Sequence, residues 1–247
     1  MGEYPVEATA TTFRVIAALD EAGTAGVTEL ADRLDLSKSA VHNHLATLER
    51  LEYAINEDGR YRLSLRFLDH GTSVRDSLPV VTAGREEVDS LASQSGSTAF
   101  LVVPEGDVAV YAYVTTGGRG DGRTTGIRAG TRIPLHACAP GKAILSTRTA
   151  EAVQAYLDRQ PPSPRTDQPI ASRDELRSVR DRGIAFDRGG ALEGLNAVAA
   201  PVTDGETAVA AMGVSGPAAQ LTGKRLQEDL PGLVLNHVTS LELALRD

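Results

Sequence analysis

The stretch from Leu36 to Leu51 decides how the chain is interpreted, and it reads Leu-Ser-Lys-Ser-Ala-Val-His-Asn-His-Leu-Ala-Thr-Leu-Glu-Arg-Leu. Val41, Leu45 and Leu48 recur at the period of an amphipathic α-helix, so they define one apolar face. The other face lacks the Glu and Lys pairs that usually cover a solvated helix in an acidic chain. The sequence therefore predicts a packed helix with an unusual outer surface.

That outer surface carries Ser39, His42 and Asn43, whose short side chains can contact base edges in DNA. Ser37 is a good N-cap, so the first turn would offer free backbone N–H groups to a phosphate, with Lys38 beside them. A packed helix with a chance polar face explains the same residues equally well. This stretch alone leaves both interpretations open.

Composition narrows the possible classes of protein. The 247 residues are enough for two domains, and the net charge of −8 excludes indiscriminate binding of nucleic acid across the whole surface. Cys138 is the only cysteine, so neither an intrachain disulfide nor a cysteine-based zinc cage can form. No basic leader and no apolar run of membrane-spanning length are visible. We expect a cytoplasmic protein with no membrane contact, no cofactor and no metal.

Two further helices are predicted before the opening stretch. Residues 9–22 form one, closed by Gly23, and residues 29–34 form a short second one with leucines spaced i, i+4. Asp35 and Leu36 would make the tight turn into the next helix. Short helices joined in this way are the helix-turn-helix arrangement, in which the second helix enters the major groove.

A hairpin is predicted after Leu51, because Asp-Gly separates two alternating runs, 53–56 and 60–63. Ile55, Tyr61 and Leu63 are expected to face the helices. Arg60 and Arg62 would then alternate outward, toward a phosphate backbone. Three helices followed by such a wing are far more specific than one helix, so DNA binding becomes the favoured interpretation. Residues 1–70 nevertheless hold seven Arg and Lys against twelve Asp and Glu.

The rest of the chain predicts an antiparallel sheet with helices outside it, an α+β module of the sensor type. Its glycine-rich segment 117–122 lacks the strand-to-helix setting of a dinucleotide site and is interpreted as a loop. The predicted elements are a connector over 64–71, helices over 74–94 (begun or broken near Pro79), 141–158, 172–182 and 222–246, strands over 97–103, 108–115, 184–187, 196–203 and 207–215, and a proline-rich loop over 161–169.

The whole pattern resembles the IclR family of transcriptional regulators, and its halophilic archaeal branch in particular. The resemblance rests on Gly26-Val27-Thr28-Glu29-Leu30-Ala31, Leu36 to His42, Leu65-Arg66-Phe67-Leu68, Pro134 to Ala143, Gly183 to Asp187, Gly194 to Val202 and Val214 to Pro217. It implies a winged helix-turn-helix domain at 1–64, a linker helix at 65–76 that pairs two subunits, and a GAF-like domain at 77–247 that binds a small metabolite, often an organic acid. Double-stranded DNA, an effector and a homodimer, with a tetramer also conceivable, are the implied partners.

The resemblance also implies an effector site, although this chain departs from it. Ala197 stands where the family often has cysteine or another polar residue, Gly213 stands where it has serine, and Pro140 replaces a common leucine. Fewer polar groups favour a larger or less polar effector, or a sensor domain that binds nothing. The expected site residues are Ala139, Gly141, Asp187, Ala197, Gly213 and Ser215.

Three alternative interpretations apply to parts of the sequence. An enzyme would use Cys138 as nucleophile and His136 as base, but residues two apart on an extended segment point to opposite faces. A metal site made of His42, His44 and His136 meets a similar objection, because His42 and His44 face different directions on a helix. A DNA-binding protein with a vestigial sensor domain remains the main alternative. We therefore predict a regulator without catalytic residues.

Overall fold

The computed structural model describes residues 4–117, 126–160, 171–205 and 207–246. The segments 117–122 and 161–169, interpreted above as loops, lie almost wholly outside these residues. The helices are α1 (Glu7–Ala22), α2 (Val27–Leu34), α3 (Lys38–Arg50), α4 (Arg66–Asp76), α5 (Pro79–Ser95), α6 (Ala139–Ser146), α7 (Ala150–Asp158), α8 (Arg173–Arg182) and α9 (Leu230–Ala244). The strands are β1 (Ala25–Gly26), β2 (Ala54–Glu57), β3 (Arg60–Leu63), β4 (Thr98–Glu105), β5 (Val108–Thr116), β6 (Arg132–Pro134), β7 (Ala185–Arg188), β8 (Leu195–Thr203) and β9 (Ala208–Pro217).

The chain divides into two compact units, Met1–Arg75 and Asp76–Asp247. In the first unit, α1, α2 and α3 enclose a core that includes Leu19, Leu30 and Leu45, all fully buried. A three-stranded sheet in the order β1-β3-β2 completes this unit. The fold is a winged helix-turn-helix, as the sequence predicted.

The face of the wing that carries Ile55 differs from the prediction. Ile55 lies opposite Arg62, and Ala54 lies opposite Leu63. Residues that face each other across a ladder share one side of the sheet, so Ile55 lies on the side of Arg62 and away from Leu63. Ala54 takes the inward place and is buried. The prediction placed Ile55 wrongly because it chose the larger apolar side chain over the register.

Aromatic and polar contacts hold the start of α4 against the wing. The Tyr53 ring lies edge-on to Phe67, and the Arg66 guanidinium lies over the same ring. The Tyr53 hydroxyl shares a 2.6 Å hydrogen bond with Nε2 of His70, and Arg66 forms a 2.5 Å ion pair with Glu52. The linker helix expected at 65–76 thus belongs structurally to the winged unit over its first turns.

The second unit is built on a six-stranded antiparallel sheet in the order β6-β5-β4-β9-β8-β7. Helices α5 and α9 cover one face, where Leu91, Met212 and Leu241 are fully buried. Helices α6, α7 and α8 share a second core with the other face, where Phe100 and Ile144 are buried. Helices on both faces of an antiparallel sheet agree with the predicted α+β class.

The helix predicted over 141–158 is two helices, so this prediction was wrong. The hydroxyls of Ser146 and Thr147 donate to the carbonyls of Ala143 and Ile144, at 2.7 and 2.9 Å. Thr149 then accepts the N–H of Ala152 at 3.3 Å and caps α7. Hydroxyls bonded to nearby backbone groups favour helix ends over helix interiors. Apolar periodicity alone does not reveal such a break.

Candidate DNA-binding surface and effector site

Helix α3 presents its polar residues to solvent because its apolar residues are buried. Val41 and Leu45 are fully buried, whereas Ser39, His42 and Asn43 are exposed. Among the described residues, no hydrogen bond is made by the Asn43 amide or by the His42 ring. These donors and acceptors are therefore available to a ligand. Ser39 and Asn43 lie near the centre of the outward face, and His42 lies on its flank.

The amino end of α3 begins at Ser37, as predicted. The Ser37 Oγ accepts the N–H of Ala40 at 3.1 Å and lies 3.2 Å from the Ser39 Oγ. In the first turn, the N–H groups of Lys38 and Ser39 have no backbone acceptor among the residues that the structure describes. Lys38 is exposed and makes no ion pair within the described part of the chain. This helix end can receive an anion such as a phosphate.

The wing arginines already have partners within their own domain. Arg60 donates to the Thr24 carbonyl at 2.9 Å and lies 3.4 Å from the Glu29 carboxylate. The Arg62 guanidinium lies 2.8 Å from Glu57. Both pairs are solvent-exposed, and such pairs contribute only about 0–1 kcal/mol to stability. The guanidinium groups can therefore exchange partners at low cost.

Strand register brings three of the expected effector residues side by side. Asp187 faces Ala197, and Ala197 faces Ser215, so these residues form one row across β7, β8 and β9. The same row continues to Thr98 on β4, which faces Ser215. Gly213 lies one row away on the same face. Sequence reasoning missed Thr98, although a polar residue at the start of a continuous apolar strand was a usable signal.

The two polar groups of this row differ in how they are satisfied. Asp187 is buried, and its carboxylate accepts the N–H groups of Gly190 at 2.6 Å and Ala191 at 2.8 Å. Burial raises the pKa of Asp187, and these N–H groups oppose that rise. The Ser215 hydroxyl is fully buried without a hydrogen-bond partner among the described residues. An unsatisfied buried hydroxyl costs about 1–3 kcal/mol, which favours an additional binding partner.

The first turn of α6 packs on the same face of the sheet. Ala139 and Gly141 are buried there, and a Cβ at position 141 would lie 2.2 Å from the Leu135 carbonyl oxygen. Only glycine fits that close approach. Pro140 occupies this turn and has no N–H to donate. This helix end therefore offers fewer backbone donors than an ordinary one.

The neighbouring cysteine is not set up as a nucleophile. Burial raises the pKa of the Cys138 thiol to about 12, so the thiol stays protonated at neutral pH. The imidazole of His136 shares a 2.8 Å hydrogen bond with the Tyr156 hydroxyl through Nδ1, and burial lowers the pKa of His136. The Cys138 Sγ points to the Pro134 carbonyl, at 3.9 Å. The geometry counts against an enzyme that uses these two residues.

Both units match one family of known proteins. Residues 9–56 match the IclR helix-turn-helix domain. Residues 72–239 match the domain described as bacterial transcriptional regulator IclR C-terminal. The chain belongs to the IclR family. It is therefore a DNA-binding transcriptional regulator with a carboxy-terminal effector domain.

Individual IclR relatives agree with this assignment. The chain is 29% identical over 238 residues to a probable HTH-type transcriptional regulator ArcR of Halobacterium salinarum. The aligned region covers 94% of this chain and 90% of that protein. This likeness confirms the resemblance to the halophilic archaeal branch. The crystal structure of Thermotoga maritima IclR has a TM-score of 0.81 at 22% identity and covers 97% of this chain and 98% of that one. An IclR homolog from Microbacterium hydrocarbonoxydans, solved with 4-hydroxybenzoate, has a TM-score of 0.78 at 18% identity, with 97% and 99% covered.

The described part of this IclR protein contains neither a group of metal-ligating side chains nor a membrane-spanning helix. No group of three or more His, Cys, Asp or Glu side chains there could hold a metal ion. No helix there is long and apolar enough to cross a membrane.

The close approach of β8 and β9 at Gly213 leads to a prediction about stability. A Cβ at position 213 would lie 2.2 Å from the Val198 carbonyl oxygen and 2.8 Å from the Ala199 Cβ. We therefore expect Gly213→Ser to lower the free energy of unfolding by about 1–3 kcal/mol, as overpacking does. Urea denaturation measures this change. Gly232→Ser is the matched control, because a Cβ there meets nothing within 4 Å; equal stability of both variants would contradict the prediction.

Proposed function

We propose that this IclR protein recognises a specific operator through α3 and that a small metabolite raises or lowers its affinity for the operator. Operator recognition is supported by the outward face of α3, where Ser39, His42 and Asn43 are exposed. Within the described residues, the side chains of His42 and Asn43 have no hydrogen-bond partner. Ser39, His42 and Asn43 would contact base edges in the major groove. Because operator binding requires the chromosome, we also propose a cytoplasmic location.

Phosphate contacts would fix the register of the protein on the duplex. The proposed groups are Ser37 and Lys38 at the amino end of α3, with Arg60 and Arg62 on the wing. Support comes from the free N–H groups of the first turn and from the exposed, exchangeable ion pairs of the two arginines. Contacts of this kind position a protein without selecting a sequence.

Replacing Asn43 by Ala tests base readout. An amide can bond an adenine edge at two points, so its loss should weaken operator binding by about 1–3 kcal/mol and relax preference at one base pair. Binding to random DNA of equal length should change little. Electrophoretic mobility or anisotropy titrations measure both affinities.

The control for this test is Asn236→Ala, which makes the same chemical change on an exposed part of α9. Equal weakening of operator and random DNA by Asn43→Ala would show that Asn43 does not read bases.

A second subunit would cover the apolar surface of the winged unit. Leu65 and Leu68 are 80% and 62% exposed, whereas Phe67 is half-buried and packs on Tyr53. Helix α1 adds a hollow lined by Tyr4, Pro5, Val6, Thr9, Ala10, Phe13, Arg14 and Ala17. Within this hollow, Val6, Ala10, Phe13 and Ala17 are spaced four, three and four residues apart, as apolar positions of paired helices are. We propose a homodimer that presents two recognition helices to a pseudo-palindrome.

Polar substitutions in this surface should weaken the dimer. Phe13 is 63% exposed, so the double variant Phe13→Ser/Leu68→Ser can fold normally. We expect a shift of the dimer–monomer equilibrium by at least about tenfold, which is 1.4 kcal/mol. Sedimentation equilibrium measures it. Leu243→Ser, also at an exposed leucine, serves as control; a parent protein that is monomeric at micromolar concentration would rule out the proposal.

The effector is proposed to bind on the sheet face that carries Asp187, Ala197, Gly213 and Ser215, beside Ala139 and Gly141. The unpartnered Ser215 hydroxyl supports this position, and a ligand oxygen could satisfy it. The relative solved with 4-hydroxybenzoate suggests an aromatic or related organic acid as the class of ligand. The small side chains of Ala197 and Gly213 leave the site with few groups that orient a carboxylate.

Thermal unfolding tests both the effector and the vestigial alternative. Among 4-hydroxybenzoate and short mono- and dicarboxylic acids, at least one should raise the melting temperature, because a ligand at 100 times its Kd stabilises by about 2.7 kcal/mol. Ser215→Ala should abolish most of this rise. Without ligand the variant should be as stable as the parent or about 1 kcal/mol more stable, since it removes an unsatisfied hydroxyl. No response to any compound would favour a vestigial sensor.

A further inference from the structure

Strand β7 leaves one edge of the six-stranded sheet open within the described residues. It pairs only with β8, in the order β6-β5-β4-β9-β8-β7. The N–H of Gly189 donates to the Leu195 carbonyl at 2.8 Å, and alternate residues of an antiparallel strand bond to the same neighbour. Asp187 and Ala185 therefore bond to β8. The main-chain groups of Phe186 point the other way, away from the sheet.

These outward groups are not used elsewhere. No hydrogen bond from the Phe186 N–H or to the Phe186 carbonyl occurs among the described residues. An open strand edge is a template for another extended chain, and proteins often protect such edges with charges or a covering element. Here the edge borders a groove, so its surroundings decide what can approach.

The groove runs along β7 and is bordered by α6 and α8. Its floor is apolar, formed by Val179, Ile184 and Phe186, and it has a volume of about 350 Å³. Its rims are polar and carry Lys142, Glu175, Ser178, Arg182 and Arg188. An extended segment has the matching shape, because its side chains alternate between the two sides of the strand.

The charge of the rims is positive, in contrast to the protein as a whole. Lys142 is paired with Glu175 at 2.7 Å, so these two charges cancel. Arg182 and Arg188 make no ion pair or hydrogen bond with any described residue. Two unpaired cations thus lie along an open strand edge in a chain of net charge −8. They would attract an acidic segment and repel a basic one.

We propose that this groove binds an extended, acidic segment of a partner protein, which adds to the sheet as a seventh strand beside β7. Main-chain hydrogen bonds to Phe186 would supply affinity, the apolar floor would receive alternate side chains, and Arg182 and Arg188 would pair with acidic side chains between them. A second copy of this chain is a poor occupant, because two β7 edges would bring the same arginines together. None of the residues that line the groove belongs to the proposed operator or effector site, but Phe186 and Arg188 flank Asp187 on β7.

The test uses a labelled hexapeptide that alternates valine with glutamate or aspartate and is blocked at both ends. Its fluorescence anisotropy is titrated with the full-length protein at 0.15 M salt. A lysine-containing version of the same pattern should not bind. A version N-methylated at every residue, which keeps the charges but has no main-chain N–H to donate, should bind at least about tenfold more weakly.

The protein variant is Arg182→Gln/Arg188→Gln, which should weaken binding of the acidic peptide about tenfold. Arg173→Gln, on an exposed part of α8 outside the groove, is the control and should bind as the parent does. If the N-methylated peptide bound as tightly as the unmethylated acidic peptide, binding would depend on charge alone, and strand addition would be overturned. No binding of the acidic peptide at millimolar concentration would overturn the proposal. So would self-association that the double variant abolishes.

Discussion

Burial of Val41, Leu45 and Leu48 in the winged unit is the constraint on which its DNA-facing surface depends. A helix has one rotation about its axis once three of its side chains are packed, and that rotation turns Ser39 and Asn43 to solvent. The Ser37 cap fixes where the helix begins, so the first-turn N–H groups have a defined position as well. Apolar packing thus determines which polar groups can meet a ligand.

Periodicity, capping residues and turn residues predicted the winged unit well, whereas strand register and one helix break were predicted wrongly. Apolar periodicity and capping residues predicted α3, and Asp-Gly predicted the hairpin. The side of Ile55 depends on which residue of β3 it faces, and the break between α6 and α7 depends on hydroxyl contacts at Ser146 and Thr149. Strands β1 and β6, with two and three residues, are too short to show a period. The register and the short strands follow from tertiary contacts, whereas the helix break is local but leaves the apolar periodicity unchanged.

At the proposed effector site too, sequence motifs identified single residues, whereas the strand register shows which of them are neighbours. Family motifs pointed to Asp187 and Ser215, yet only the register of β7, β8, β9 and β4 shows that these residues and Thr98 share one row. The sequence suggested that Gly213 had merely lost a hydroxyl. The structure adds a reason for glycine, since the β8 backbone occupies the space of a side chain. The amino-acid composition does not reveal such a close approach between the backbones of two strands.

The ion pairs of the wing have a consequence for how the protein searches DNA. If Arg60 and Arg62 contact phosphates as proposed, Glu29 and Glu57 would compete with the nucleic acid for the same guanidinium groups. The competition is the same at every position on a chromosome, because phosphates carry no sequence. If the two arginines contact phosphates as proposed, the competition shortens the residence time on operator and random DNA alike. Acidity close to the proposed binding surface then limits the phosphate contribution to affinity, and the proposed base contacts of α3 alone set the preference for the operator.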